Sequence, residues 1–398
     1  MRDLKIFTDL IEPEALDQVY TLVKQPAFEG CKVRIMPDVH AGKGCVIGFT
    51  ADLGDKVIPN IVGVDIGCGM LTVYLGEVDI DLEALDKAIR KRVPSGRNVH
   101  EGRIVKFPEI QDLYCYRELK DTKRLERSIG TLGGGNHFIE IDVDERGGKY
   151  LIIHTGSRNL GKQVAEYYQN LAVEVMSGKD KLYEMQDALI AEYKAAGRRS
   201  EIQKAIKELH RKFNPNPLGI PKDLCYLTGK YRDMYLHDMI ICQHFAVINR
   251  LEIAKAILDE MDFNNPVRSF ETIHNYIEPG INIVRKGAIA AYKGQSVLIP
   301  LNMRDGCILG VGKGNEDWNY SAPHGAGRLM SRSKAKEIVD LEEYKKSMEG
   351  IYTTSVDVST IDEAPQVYKP MEQIVNKISD TVEIEAILKP IYNFKAGE

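Results

Sequence analysis

The chain has 398 residues, and its 43% hydrophobic content is enough to fill a sizeable core, so a globular protein of one large domain or two ordinary ones is expected. Its 53 Lys and Arg against 58 Asp and Glu give a net charge of -5, which excludes a uniformly basic nucleic-acid coat and limits any such contact to a local patch. No run reaches the length of a membrane span, Met1 to Leu16 hold no apolar leader core, and seven cysteines without a Cys-x-x-Cys read as reduced thiols, so a cytoplasmic protein is expected.

Pro13 to Lys24 reads as a helix, with Pro in the first turn and Leu16, Val19, Tyr20 and Val23 on one face. A strand from Lys32 to Met36 then runs into the polar turn Pro37-Asp38-Val39-His40-Ala41-Gly42-Lys43-Gly44, which reads as a hairpin loop, before a second apolar run from Cys45 to Thr50. Next comes Ile61-Val62-Gly63-Val64-Asp65-Ile66-Gly67-Cys68-Gly69-Met70, an apolar strand ending in Asp-x-x-Cys. That spacing sets a hard oxygen and a soft thiolate beside glycines that let the backbone curl around a small ion, and a thiolate between two cations can bridge them. The alternative is a buried structural thiol with Asp65 capping the turn. Lys87 to Lys106 is locally basic, with Glu101 as its single acid, so it is either a solvated face or a contact for a phosphate backbone.

Gly130-Thr131-Leu132-Gly133-Gly134-Gly135 reads as a loop whose amides either meet phosphate or pass close to a ligand. The following strand alternates His137, Ile139 and Ile141 with Asn136, Phe138 and Glu140. A further strand ends Leu151-Ile152-Ile153-His154, and two strand-end histidines suit imidazole ligation, although a hydrogen-bonded core histidine fits the same pattern. From Leu160 the chain turns mainly helical to about residue 258. Leu160, Val164, Tyr168, Leu171 and Val175 form one face, and Tyr235, Met239, Cys242 and Ala246 another, on either side of a Pro-rich break from Asn214 to Pro221. Arg198 to Lys212 is a second basic stretch, six basic residues against two acids.

A third strand finishes at Thr272-Ile273-His274-Asn275. Arg285-Lys286-Gly287 and Pro300 to Cys307 follow among short strands and turns. His324-Gly325-Ala326-Gly327-Arg328 then sets a histidine among small residues, immediately before an expected helix carrying Arg328 and Arg332. Small neighbours give close backbone approach on one side and open access on the other, as a nucleophile facing phosphate needs. Asp65, Cys68, His137, His154 and His274 together offer one carboxylate, one thiolate and three imidazoles. That set suits two borderline divalent ions with open positions better than one closed zinc. No Walker A, Gly-x-Ser-x-Gly or lysine nucleotidyl-transfer signature competes, which leaves His324 as the best nucleophile for a nucleotide phosphate.

Pro37 to His40, Asp65 to Gly69, Gly134 to Glu140, His154 to Arg158, His274-Asn275, Arg285 to Ala288 and His324 to Arg328 resemble, in order from about residue 30 onward, the RtcB family of RNA ligases. The resemblance implies a mixed α/β (α+β) fold, a single domain over residues 1–398 with a metal-lined central cleft. It implies two Mn2+ ions, one on Asp65, Cys68 and His137 and the other on Cys68, His154 and His274, with His324 guanylylated by GTP. Guanine-nucleotide contacts are implied at Asn136, His137, Phe138, Ile139, Glu140, His274, Asn275, Pro300, Leu301, Asn302, Met303, Cys307, His324, Gly325, Ala326, Gly327 and Lys395. Cys307 stands where relatives often carry Ser, and Val284 where some carry His, departures that bear on nucleotide affinity. The implied reaction joins an RNA 3'-phosphate or 2',3'-cyclic phosphate to a 5'-hydroxyl, in tRNA splicing or RNA repair, with an archease-type activator as a candidate partner. Two other readings use the same residues: a dinuclear Mn2+ phosphodiesterase with His324 as general acid, and a catalytically silent RNA-end receptor. One of the two basic stretches is expected to face the cleft.

Overall fold

The computed structural model describes residues 3–213, 219–263 and 266–397, so residues 214–218 of the Pro-rich break lie outside the described residues. Fifteen strands run through them: β1 Asp3–Ile6, β2 Lys32–His40, β3 Ile47–Asp52, β4 Gly69–Gly76, β5 Phe138–Val143, β6 Lys149–Thr155, β7 Arg268–Ile273, β8 Asn275–Ile277, β9 Ile283–Lys286, β10 Ala288–Ala290, β11 Ser296–Asn302, β12 Gly306–Gly312, β13 Ser321–Pro323, β14 Tyr352–Thr353 and β15 Val382–Lys395. They form a five-stranded sheet ordered β1-β2-β3-β9-β8, a β10-β13 pair, and a large sheet ordered β11-β12-β15-β5-β6-β4-β7 with β14 paired to β15. With the helices below, this is the mixed α+β class expected. Among the described residues no helix is long and apolar enough to cross a membrane.

The helices are α1 Pro13–Val23, α2 Pro59–Val62, α3 Leu82–Arg92, α4 Thr122–Glu126, α5 Arg158–Met176, α6 Lys179–Ala195, α7 Ile202–Lys212, α8 Gly229–Glu260, α9 Arg332–Ile338, α10 Leu341–Ser347 and α11 Met371–Val375. α1 starts with Pro at its first position and buries Ala15, Val19, Leu22 and Val23, so the inward face is turned from the expected one: Val19 and Val23 are shared, Leu16 is only half-buried and Tyr20 is exposed. α5 to α8 make up the helical block; of the expected faces, Leu160, Val164 and Tyr168 on α5 and Tyr235, Met239, Cys242 and Ala246 on α8 are buried, while Leu171 and Val175 on α5 are only partly so.

α8 does more than pack. Its buried apolar face continues one helical step into Asn249 and Arg250, both fully buried. Asn249 accepts from the Thr131 amide at 3.0 Å and donates to the Gly156 carbonyl at 3.0 Å, while Arg250 donates to the carbonyls of Gly67 at 2.9 Å and Thr155 at 2.8 Å and pairs with Glu271 at 2.7 Å. These two side chains tie together three loops at one end of the large sheet, those holding Gly67, Thr131 and Thr155-Gly156.

The structure corrects three local expectations. Asp38 and His40 lie on a strand rather than in a turn, because β2 runs on to His40. Pro37 is accommodated there by an irregular register against β3 between Ile35 and His40. The apolar run before Asp65 is a helical turn, Pro59–Val62, ended by Gly63 at φ 97°, and the strand begins only after Cys68. Pro59 at the first helical position favours that turn over an extended start. The helix after His324 starts only at Arg332, capped by the Ser331 hydroxyl accepting from the Lys334 amide. Arg328 is therefore a loop residue, bridged to Tyr368.

Candidate functional site

Strands β5, β6, β4 and β7 are consecutive antiparallel neighbours, so the start of one lies beside the end of the next. His137 precedes β5, His154 is the penultimate residue of β6, Cys68 precedes β4 and His274 follows β7. The register sets His154 opposite both Met70 and Phe138, and Gly69 opposite Ile273, which gathers all four side chains at one end of the sheet. Asp65 reaches the same place from the loop before β4. Gly156 makes this approach feasible, since a Cβ there would run into the Asp65 carboxylate.

The ligand-type atoms fall into two groups, each within 4.8 Å: Asp65, Cys68 and His137, and Cys68, His154 and His274. Cys68 is common to both. Its Sγ lies 3.5 Å from His137 Nε2 and 3.3 Å from His154 Nε2, and His154 Nε2 lies 3.4 Å from His274 Nε2. The tautomers follow from the outer partners. His137 Nδ1 sits 2.9 Å from the Leu132 carbonyl and His154 Nδ1 sits 3.1 Å from the Asn136 carbonyl. A carbonyl only accepts, so both Nδ1 atoms carry hydrogen and both Nε2 lone pairs face inward. His137 Nε2 then faces Asp65 Oδ2 at 2.9 Å, lone pair toward carboxylate, while Asp65 Oδ1 has no partner at all. A proton or a cation must lie among these atoms, and five donors arranged around a shared sulfur suit two cations.

The protonation tendencies describe the same need. Burial, reinforced by Asp65, pushes the Cys68 thiol well above its usual range. Burial also depresses His154 and His274 well below the usual histidine value, with neighbouring histidines adding to the effect. Burial would raise Asp65, but when the gap to His137 Nε2 is bridged by a proton, the hydrogen bond and the charge this gives the ring outweigh burial and hold the carboxyl below its usual value. Neutral imidazoles and a carboxylate are the forms that bind metal, and a bound cation would strip the thiol of its proton.

His324 lies beside this cluster, its ring centroid 4.9 Å from that of His274. Its Nδ1 is 2.6 Å from Asp38 Oδ2, and its backbone amide donates to the same oxygen at 3.1 Å. The acceptor fixes the hydrogen on Nδ1 and leaves Nε2 as the free lone pair. Asp38 is fully buried on β2, and Lys369 donates to the carbonyls on either side of it, Pro37 at 3.1 Å and Val39 at 2.7 Å. Gly327, at φ 77°, closes the loop onto this strand, because a Cβ there would collide with the Asp38 carbonyl.

A cavity of about 600 Å³ opens from His154 and His324. Of the expected nucleotide-contact residues, Asn136, Phe138, Glu140, Pro300, Leu301, Asn302, Met303, His324, Gly325, Ala326, Gly327 and Lys395 line it. His137, Ile139, His274, Asn275 and Cys307 do not. Ile139 and Cys307 are core residues, and Asn275 donates to the Asp65 carbonyl at 3.3 Å and accepts from the Gly287 amide at 3.1 Å, bracing the ligand loop.

At the far side of the cavity Glu363 collects Lys395 and Arg332 at 2.6 Å each, Arg328 at 3.2 Å and the Tyr368 hydroxyl at 2.6 Å. Burial alone would raise the Glu363 carboxyl, yet Lys395, Arg332 and Arg328 bring it down to about 2.

The sequence reading missed Asp38's bond to His324, the Glu363 hub and the clamp of Asn249 and Arg250. The last had a signal, since Asn249 follows Ala246 by three and Cys242 by seven on an otherwise apolar face. Neither basic stretch lines the cavity, contrary to expectation. Lys87, Arg90, Lys91 and Arg103 pair instead with Glu83, Asp86, Glu260 and Glu126, as solvated helix and loop charges do. The amides of Thr131 and Leu132 in the Gly-rich loop are likewise bonded internally, to Asn249 and to the Pro94 carbonyl.

Comparison with known proteins adds the lineage. The family model described as "tRNA-splicing ligase RtcB" matches residues 18–118 and 111–396. The "RNA-splicing ligase RtcB" of Escherichia coli (strain K12) is 30% identical over 422 residues, covering 96% of this chain and 94% of that protein. The "tRNA-splicing ligase RtcB" of Aeropyrum pernix is 27% identical over 431 residues, covering 85% of this chain and 82% of its own length.

Proposed function

The chain belongs to the RtcB family, and from that premise we propose that it is a GTP-dependent RNA ligase acting through a guanylyl-His324 intermediate. The observation that carries this reading is His324, its Nδ1 committed to Asp38 and its Nε2 left free at a cavity next to a five-donor cluster. A histidine general acid needs only a proton to give, whereas a nucleophile needs a fixed ring with a bare nitrogen.

In this mechanism GTP lies in the cavity with its phosphates toward His324. Nε2 attacks the α-phosphorus, the bond from that phosphorus to the α,β-bridging oxygen breaks, and pyrophosphate leaves with that electron pair. Asp38 holds the ring in register and offsets the positive charge that the imidazole gains, as a buried carboxylate does for a catalytic histidine. Guanylate then passes to an RNA 3'-phosphate, and the 5'-hydroxyl of the second end displaces GMP from the anhydride. Asp65, Cys68 and His137 would hold one Mn2+ and Cys68, His154 and His274 a second. When bound, these ions supply Lewis-acid stabilisation of phosphate charge and lower the pKa of a coordinated water. Glu140, Asn136 and Lys395 offer polar contacts along the nucleotide, and Phe138 an apolar face.

A direct test is ligation by the full chain of an RNA with a 2',3'-cyclic phosphate to one with a 5'-hydroxyl, with Mn2+ and with or without GTP. Joined product that requires GTP supports the proposal. Opening of the cyclic phosphate without GTP and without joining would instead establish the phosphodiesterase reading, and binding with neither reaction would establish an RNA-end receptor.

A further inference from the structure

His324 and its orienting carboxylate stand on segments far apart in the chain, so their meeting depends on whatever holds those segments in register. β1 pairs with β2 only as far as Ile6 beside Ile35, after which the Phe7 amide takes the Ile35 carbonyl at 2.9 Å. Carbonyls two residues apart on a strand face the same edge. Those of Pro37 and Val39 therefore point past the end of β1, where no strand among the described residues meets them. Buried carbonyls left without donors are costly.

Lys369 fills that edge. Its side chain is buried, and the three N–H donors of the ammonium are all used, on the carbonyls of Pro37 at 3.1 Å, Val39 at 2.7 Å and Leu10 at 3.0 Å, the last from the segment after β1. Its own amide donates to the Gly327 carbonyl at 3.0 Å, on the loop that carries His324. One residue thus grips the strand of Asp38 by its side chain and the loop of His324 by its main chain. The carboxylate has no anchor of its own among the described residues: Oδ2 meets only His324, and Oδ1 is buried without a partner. Where Oδ2 falls is set by the strand beneath it. Burial lowers the Lys369 ammonium from the usual lysine value, and Asp38, ahead of Glu12, opposes this, so the ammonium also faces the carboxylate as a countercharge.

We infer that Lys369 is a positioning residue for His324: by closing the free edge of β2 and holding Gly327, it fixes the place where Asp38 meets the ring. Lys369 does not line the cavity, so it acts through Asp38 and not on a ligand. The inference rests on the ligase reading only in taking His324 as the nucleophile.

The test is NMR of the full-length chain, free of metal and nucleotide and labelled at the histidine ring nitrogens, where a protonated and a bare nitrogen resonate far apart. The His324 signals are those lost in His324→Gln. In the wild type they should show one tautomer, with hydrogen on Nδ1. Lys369→Met keeps the length of the side chain and removes all three donors, and its His324 should exchange between both tautomers. His137 and His154, oriented by other carbonyls, should keep their signals and so report an intact fold. Single-turnover guanylylation should fall about 10- to 100-fold with the apparent GTP affinity unchanged, the scale that a misplacement of about 1 Å carries. Should Lys369→Met fail to fold, Lys369→Gln keeps two N–H donors without the charge and is read in the same way. A folded variant whose His324 keeps its tautomer overturns the inference whatever its rate, because a general structural lysine would lower the rate alone. An unchanged rate, or His137 and His154 signals that move along with those of His324, would overturn it too. The spectra involve neither GTP nor RNA, so a wild type that takes no guanylate would sink the ligase reading and leave the role of Lys369 to be decided by the tautomer.

Discussion

His324 is aimed by a single oxygen, Asp38 Oδ2, which holds both its ring and its backbone amide. Asp38→Asn keeps the volume but offers an amide that can turn either end to the ring, so the tautomer is no longer fixed. Guanylylation should fall by about 10² to 10⁴ while GTP still binds, the scale set by other catalytic histidines that lose their orienting carboxylate. Equal single-turnover rates in the variant and wild type would remove Asp38 from the mechanism. Glu363 makes a separate prediction. Lys395, Arg332 and Arg328 bring its carboxyl down to about 2 in the folded chain against 4.5 for a free glutamate, so the stability it contributes is complete above 4.5 and is lost as pH falls toward 2. In urea unfolding, Glu363→Gln should be less stable than wild type at pH 6, by on the order of 2 kcal/mol, and the gap should narrow by pH 3. A gap independent of pH would mean that Glu363 acts by packing alone.

Among the elements, the clamp from α8 carries the most, because Asn249 and Arg250 satisfy backbone groups of three loops at once. Asn249→Ala orphans a buried amide and a buried carbonyl and should cost about 3 kcal/mol in stability. It should also weaken metal binding although it touches no ligand; metal affinity unchanged in a destabilised variant would show the clamp to be structural only. The basic stretches should prove inert to RNA. Neutralising Lys204, Lys207, Arg211 and Lys212 on α7 should leave the salt dependence of RNA binding unchanged, whereas Lys43→Ala, at the cavity, should flatten its log-log slope by roughly 0.7. The reverse pattern would move the RNA path onto the helical block. The sequence pattern exposed the strand-end histidines and the helical faces because burial on one side imposes periodicity. It did not expose the turn at Pro59–Val62 or the loop from His324 to Arg332. Their shapes are set by Pro59, by Gly63 and by the docking of Gly327 on Asp38, which are contacts between segments and not periods within them.

At the scale of the whole molecule, residues that start or end four neighbouring strands form the donor cluster, and β2 together with the loop after β13 supplies the aimed histidine from the other side. The proximity of Cys68, His137, His154 and His274 was legible as a list of ligand types but not as an arrangement, since antiparallel order β5-β6-β4-β7 is what brings them to one end. Ligase function requires that nucleotide chemistry happen at the junction of those two halves. Incubating the full chain with Mn2+ and GTP labelled at the α-phosphate, then mapping the label by peptide mass analysis under alkaline handling, tests this most directly. The prediction is one guanylate per chain on the peptide containing His324, acid-labile as a phosphoramidate is, and absent from His324→Ala. Label on another residue, or none in a chain that nevertheless joins RNA ends, would contradict it.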